Sequence, residues 1–90
     1  MRYGSVAIRV KVRFDPELVG EAICWNGSNV LEVREFLGYI DRDDNGRLVI
    51  LSPDGVKKII EGDWIVRLDA AMDMVAPVNS GMFDIMFVGA

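Results

Sequence analysis

The sequence predicts an α+β domain: one short helix packed on an antiparallel sheet of about six strands, a sheet free to curl into a half-barrel. Three observations carry that expectation. Val6–Phe14 alternates apolar and polar residues with the period of a strand. Asn29–Leu37 repeats its apolar residues at helical spacing, between an asparagine and a glycine. From Tyr39 onward, short apolar runs are separated by tight turns, the pattern of antiparallel neighbours. A chain of 90 residues allows one modest core, so residues 1–90 are expected to form a single domain.

In the first strand Val6, Ile8, Val10, Val12 and Phe14 share one face, predicted to point inward. Arg9, Lys11 and Arg13 share the other, which attracts an acidic partner or phosphate, or protects an edge strand from indiscriminate pairing. Asp15-Pro16 interrupts the run, and Val19–Trp25 reads as a second strand closed by Asn26-Gly27. Asn29 is a natural N-cap for the helix, with Glu32 placed to complete a capping box and Gly38 as C-cap. Val30, Val33, Phe36 and Leu37 supply the docking stripe. Tyr39-Ile40 then leads into the polar Asp41–Arg47 loop. Strands are expected at Leu48–Leu51, Val56–Ile60, Trp64–Leu68, Met72–Val78 and Met82–Val88, so residues 72–88 read as a C-terminal hairpin.

Composition excludes much chemistry. The chain has no histidine and a single cysteine, Cys24. That removes imidazole-activated nucleophiles, histidine-containing zinc sites and an intrachain disulfide. Cys24 sits in an apolar run beside Trp25 and reads as a small buried hydrophobe. Net charge is −4, with Arg2, Arg9, Lys11 and Arg13 all in the first 14 residues and every acid beyond them. A mainly acidic body disfavours nucleic-acid binding, which needs a clustered basic surface. No apolar run reaches the roughly 20 residues that cross a bilayer, and the N-terminus lacks a secretory pattern. No membrane role, no cofactor and no enzymatic activity are expected.

Four groups of residues are candidates for function. Asp41, Asp43 and Asn45, followed by Gly46, match the opening of a calcium loop. Ser52 stands where that loop needs a bidentate glutamate, so an acidic hairpin loop closed by the two-residue turn Asn45-Gly46 is the expected structure. Trp25 and Trp64, with basic Arg67, could stack and hold a small ligand or nucleotide, although tryptophans in apolar strands ordinarily fill the core. Met72, Met74, Met82 and Met86 fall in the last two predicted strands. Asp84 shares a face with Met82 and Met86, and an unpaired carboxylate is costly to bury. That places Phe83, Ile85 and Phe87 inside and makes Met72, Met74, Met82, Asp84 and Met86 the candidate partner-binding surface.

One ordered set of residues bears a family likeness. Pro16, Glu21-Ala22-Ile23-Cys24-Trp25-Asn26-Gly27, the segment from Asn29 to Gly38, Leu48-Val49-Ile50, Gly55 and Gly62-Asp63-Trp64-Ile65-Val66-Arg67 follow one another over residues 16–67. This order resembles a type of small phage and prophage protein of unassigned function. Its members read Glu-Ala-x-x-Trp-x-Gly, then an Asn-x-x-Glu-Val-x-x-Phe-x-Gly helix, then Gly-Asp-aromatic-Ile-apolar-basic. The basic N-terminal strand in residues 1–14 looks like an addition to the family's usual start. The tail from Leu68 to Phe83 departs from the family's polar ending, keeping a proline at Pro77 and an aromatic at Phe83. The resemblance supplies no catalytic residues.

Small size, the absence of catalytic chemistry, an acidic body and the methionine-bearing C-terminal segment, set beside this resemblance, lead to the expectation of a non-enzymatic accessory protein, made in the cytoplasm of an infected bacterial host, that binds and modulates a host protein. A small-ligand or nucleotide-binding module and a minor virion component are the alternatives. Mean hydropathy of +0.23 is high for so short a chain, so a homo-oligomer or a lasting partner is expected.

Overall fold

The computed structural model describes residues 7–52, 54–71 and 75–90. It is an α+β architecture of two antiparallel sheets and two helices, with neither sheet closed into a barrel. The elements run β1 (Ile8–Val12), β2 (Asp15–Cys24), α1 (Val30–Leu37), β3 (Asp41–Arg42), β4 (Leu48–Ser52), β5 (Gly55–Lys58) and β6 (Trp64–Leu68). A 3-10 turn at Asp69–Ala71 precedes β7 (Val75–Val78), α2 (Ser80–Met86) and β8 (Phe87–Gly89). The larger sheet has the order β7-β6-β2-β1-β8 and the smaller β3-β4-β5.

The larger sheet is buried on both faces, and strand alternation sorts its side chains between two cores. Ile23, Ile65 and Val75 face α1 and the smaller sheet, where they meet Val33, Phe36, Leu48, Ile50 and Ile59. Val10, Ala22 and Val66 face the opposite way, onto Phe83 of α2 and Phe87. Ile23, Ile50, Ile65 and Val33 are almost wholly enclosed, and each such aliphatic side chain contributes about 1.5–3 kcal/mol by leaving water.

α1 forms where its periodicity places it, with Val33 and Phe36 buried and Gly38 closing it in the left-handed conformation at φ 86°. Its start differs from expectation. Asn29 makes no side-chain cap; it is buried, its Oδ1 accepts from the Asn26 backbone N–H, and its Nδ2 donates to the Cys24 carbonyl at 2.8 Å. The amide ties the end of β2 to the start of the helix. The Asn29 half of the expected capping box is therefore not made.

Asp15-Pro16 opens β2 rather than breaking the chain. The turn lies one step earlier, at Arg13-Phe14, and a proline near the start of a strand gives up no essential ladder bond. Phe14, expected inside, is consequently 78% exposed at the turn, and Ile8 is exposed as well. Val10 is buried and Arg9 and Arg13 are wet, as the alternation requires. β1 is not an edge strand, however: it lies between β2 and β8. Its charges therefore do not serve edge protection.

The largest correction concerns the C-terminus. Ser80–Met86 is a helix, not a strand, and β7 and β8 pair with β6 and β1 at opposite edges of the sheet. There is no C-terminal hairpin; α2 crosses the sheet face between the two edges. The spacing of Phe83 and Phe87, four residues apart, fits a helical approach as well as a strand. Asn79 decides between them, because its Oδ1 accepts from the Met82 N–H at 2.9 Å and starts a helix. Val6, Met72 and Met74 lie outside the described residues.

Candidate functional site

α2 is fastened at three points. Phe83 stacks on Trp64 with centroids 4.1 Å apart and planes 5° from parallel, and lies 5.3 Å from the Phe87 ring. Asn79 holds its first turn. At its last turn Arg13 reaches across from the β1–β2 turn: Nε donates to the Ile85 carbonyl at 3.1 Å and Nη2 to the Asp84 carbonyl at 2.9 Å. The Arg13 backbone N–H adds a bond to the Met86 carbonyl at 2.7 Å. A guanidinium at the C-terminal carbonyls is favourable both as a donor and by charge.

This arrangement turns one side of α2 outward. Met82, Ile85 and Met86 are 46%, 57% and 36% exposed, and Phe14 follows directly on the arginine that caps the helix. Asp84 is exposed too. Of the five residues proposed from sequence for a partner surface, the structure thus brings Met82, Asp84 and Met86 onto one exposed helix. Ile85, expected in the core, joins them. Phe14 and Ile85 were missed for one reason: a period-two reading assigns both to the inner face, whereas a turn and a helix send them out.

Trp25, Trp64 and Arg67 do not converge. Trp25 is buried in the core beneath α1, while Trp64 lies on the other face of the sheet under Phe83. Arg67 is engaged on the α1 side, with Nη1 donating to the Phe36 carbonyl and Nη2 3.6 Å from Glu21 Oε1. Glu21 also faces Arg9 across the β1–β2 pair, and Arg9 holds Asp69 through two bonds of 2.7 and 3.1 Å. Arg9, Glu21, Arg67 and Asp69 thereby form a row of alternating sign across three strands and the following turn. Hydrogen bonding from Arg9 holds the Asp69 carboxyl below the usual aspartate range.

Asp43 is spent on its own loop. Its Oδ1 accepts from the Arg47 and Asn45 N–H groups, its carbonyl accepts from Gly46, and the Arg47 bond chiefly lowers its pKa. The hairpin is a three-residue loop with Gly46 at φ 79°, not a two-residue Asn45-Gly46 turn. Asp41 accepts from the Arg42 N–H at 2.9 Å. Among the described residues no three histidine, cysteine, aspartate or glutamate side chains group as metal ligands. Cys24 is half-buried; burial, then the charge of Asp63, pushes its thiol pKa up, away from a nucleophilic thiolate. No helix among the described residues is long and apolar enough to cross a membrane.

Several residues of the ordered set over positions 16–67 are engaged in contacts within the fold. Glu21 and Arg67 are cross-strand partners, Arg67 meets Phe36, Asn29 holds Cys24, and Trp25 exchanges backbone bonds with Asp63 and Gly62. No family model, curated protein or solved structure matches the chain.

Proposed function

We propose that the protein is a non-enzymatic binding module of the phage and prophage accessory kind, which captures and modulates a bacterial host protein in the cytoplasm. The observation that carries this reading is the outward side of α2. Met82, Ile85, Met86 and Phe14 expose large apolar groups where the helix is anchored on both sides, so the surface costs little ordering when it binds. Methionine adds a soft, adaptable contact. The resemblance over residues 16–67 supplies the setting, and its residues serve the scaffold, most of them on the sheet face opposite α2.

The test is capture from bacterial lysate followed by binding of the purified partner. Phe14→Asp/Ile85→Asp alters only exposed side chains and is expected to weaken binding about a hundredfold. Circular dichroism and tryptophan fluorescence of the variant should match the original chain. Equal affinity in the two proteins would remove α2 as the binding surface.

A further inference from the structure

We propose that β5 is a self-recognition edge, at which a second copy of this chain pairs antiparallel about Val56. Among the described residues, the edges of the two sheets left without a neighbouring strand are not alike. β3 is only two residues long, β8 three, and β7 carries Pro77, which lacks an N–H. β5 is four residues long, and the pairing pattern shows where its backbone points. Ile59 donates to the Leu48 carbonyl, so Ile59, Lys57 and Gly55 turn their backbone groups toward β4. Val56 and Lys58 turn theirs outward. On the far side of β4 the corresponding gap is already filled, because the Tyr39 hydroxyl oxygen accepts from the Leu51 N–H at 3.2 Å.

The side chains supply the reason for a second copy rather than an unrelated strand. Val56 and its cross-strand partner Leu51 are 65% and 67% exposed. A twofold axis at Val56 sets valine against valine, with Leu51 flanking on each side. It also brings Asp54 of each copy alongside Lys58 of the other, so the edge is complementary in charge to itself. Sliding the pairing by the two residues that keep outward backbone groups matched, to an axis at Lys57, would set Lys57 against Lys57 and Val56 against Lys58. Lysines on an edge ordinarily discourage pairing; here they select one register. The surface is separate from α2, which packs on the opposite face of the larger sheet.

The experiment is analytical ultracentrifugation with rising concentration, joined to amide hydrogen exchange on the unmodified chain. The expected result is a reversible dimer whose formation slows exchange at Val56 and Lys58. Lys58→Glu and Asp54→Lys should each weaken dimerisation about tenfold, and the two together should restore it. Phe14→Asp/Ile85→Asp should leave the dimer intact. A chain that stays monomeric at every concentration overturns the proposal. So does a dimer that ignores both charge reversals, or one whose exchange protection falls on α2.

Discussion

The guanidinium of Arg67 sits over the ring of Phe36, 4.4 Å from its centroid, while its Nη1 donates to the carbonyl oxygen of the same residue at 2.7 Å. Phe36 is in the last turn of α1, where carbonyls lack helical partners. One β6 side chain thus satisfies a helix end, stacks on a core aromatic and balances Glu21 on β2. Local propensity forms α1, but this contact sets where it docks.

Arg67→Ala should accordingly destabilise the domain by about 2–3 kcal/mol, from a charged hydrogen bond and a partly desolvated cation–π contact. Arg67→Lys should recover only part of the loss, because an ammonium cannot stack and donate in one plane. Urea denaturation measures both, and a lysine variant as stable as the original would show that charge alone matters.

Asn29 offers a sharper discrimination. Its amide both donates to Cys24 and accepts from Asn26, so Asn29→Ala should cost about 1–3 kcal/mol through unpaired buried groups. Asn29→Asp keeps the acceptor and loses the donor, and should also destabilise. If Asn29 acted mainly as an N-cap, aspartate would serve equally well; thermal melts that rank the aspartate variant level with asparagine would favour that role.

Acid should erode stability through Asp43 and Asp69. Both carboxyls are held below the ordinary aspartate value of 3.8, Asp43 chiefly by the Arg47 N–H and Asp69 chiefly by Arg9. A depressed folded pKa means that the unfolded chain takes up the proton first. The stabilisation is therefore complete above the unfolded value and is lost as pH falls through the lower folded one. Asp69 is exposed and Asp43 partly so, so added salt should shrink the effect. Carboxyl-carbon NMR titration should place both inflections below that of a free aspartate, and Asp69→Asn should flatten the acid limb of denaturation.

Much of this fold is legible in the chain. Val30–Leu37 and Trp64–Leu68 form as their spacing and flanking turns dictate, and the apolar alternation of β1 correctly buries Val10. The candidate surface is legible only in part. Met82 and Met86 are exposed on either reading, since positions four apart share a helix side and positions an even number apart share a strand face. Ile85 separates the two, and a segment of seven residues is too short for period to settle it. What decides is the Asn79 side chain, a single capping bond. Pairings across the chain, such as Glu21 with Arg67 or Arg13 with α2, leave no local trace. They depend on which strands become neighbours.

The position of β1 has a consequence for how the chain could be shortened. The basic segment reads as an optional preface, yet its strand joins β2 to β8, and its following arginine clasps α2. A chain started at Asp15 would strip hydrogen-bonding partners from two strands at once and set the C-terminal helix adrift. The preface works as a keystone: remove it, and the far end of the polypeptide loses its seat.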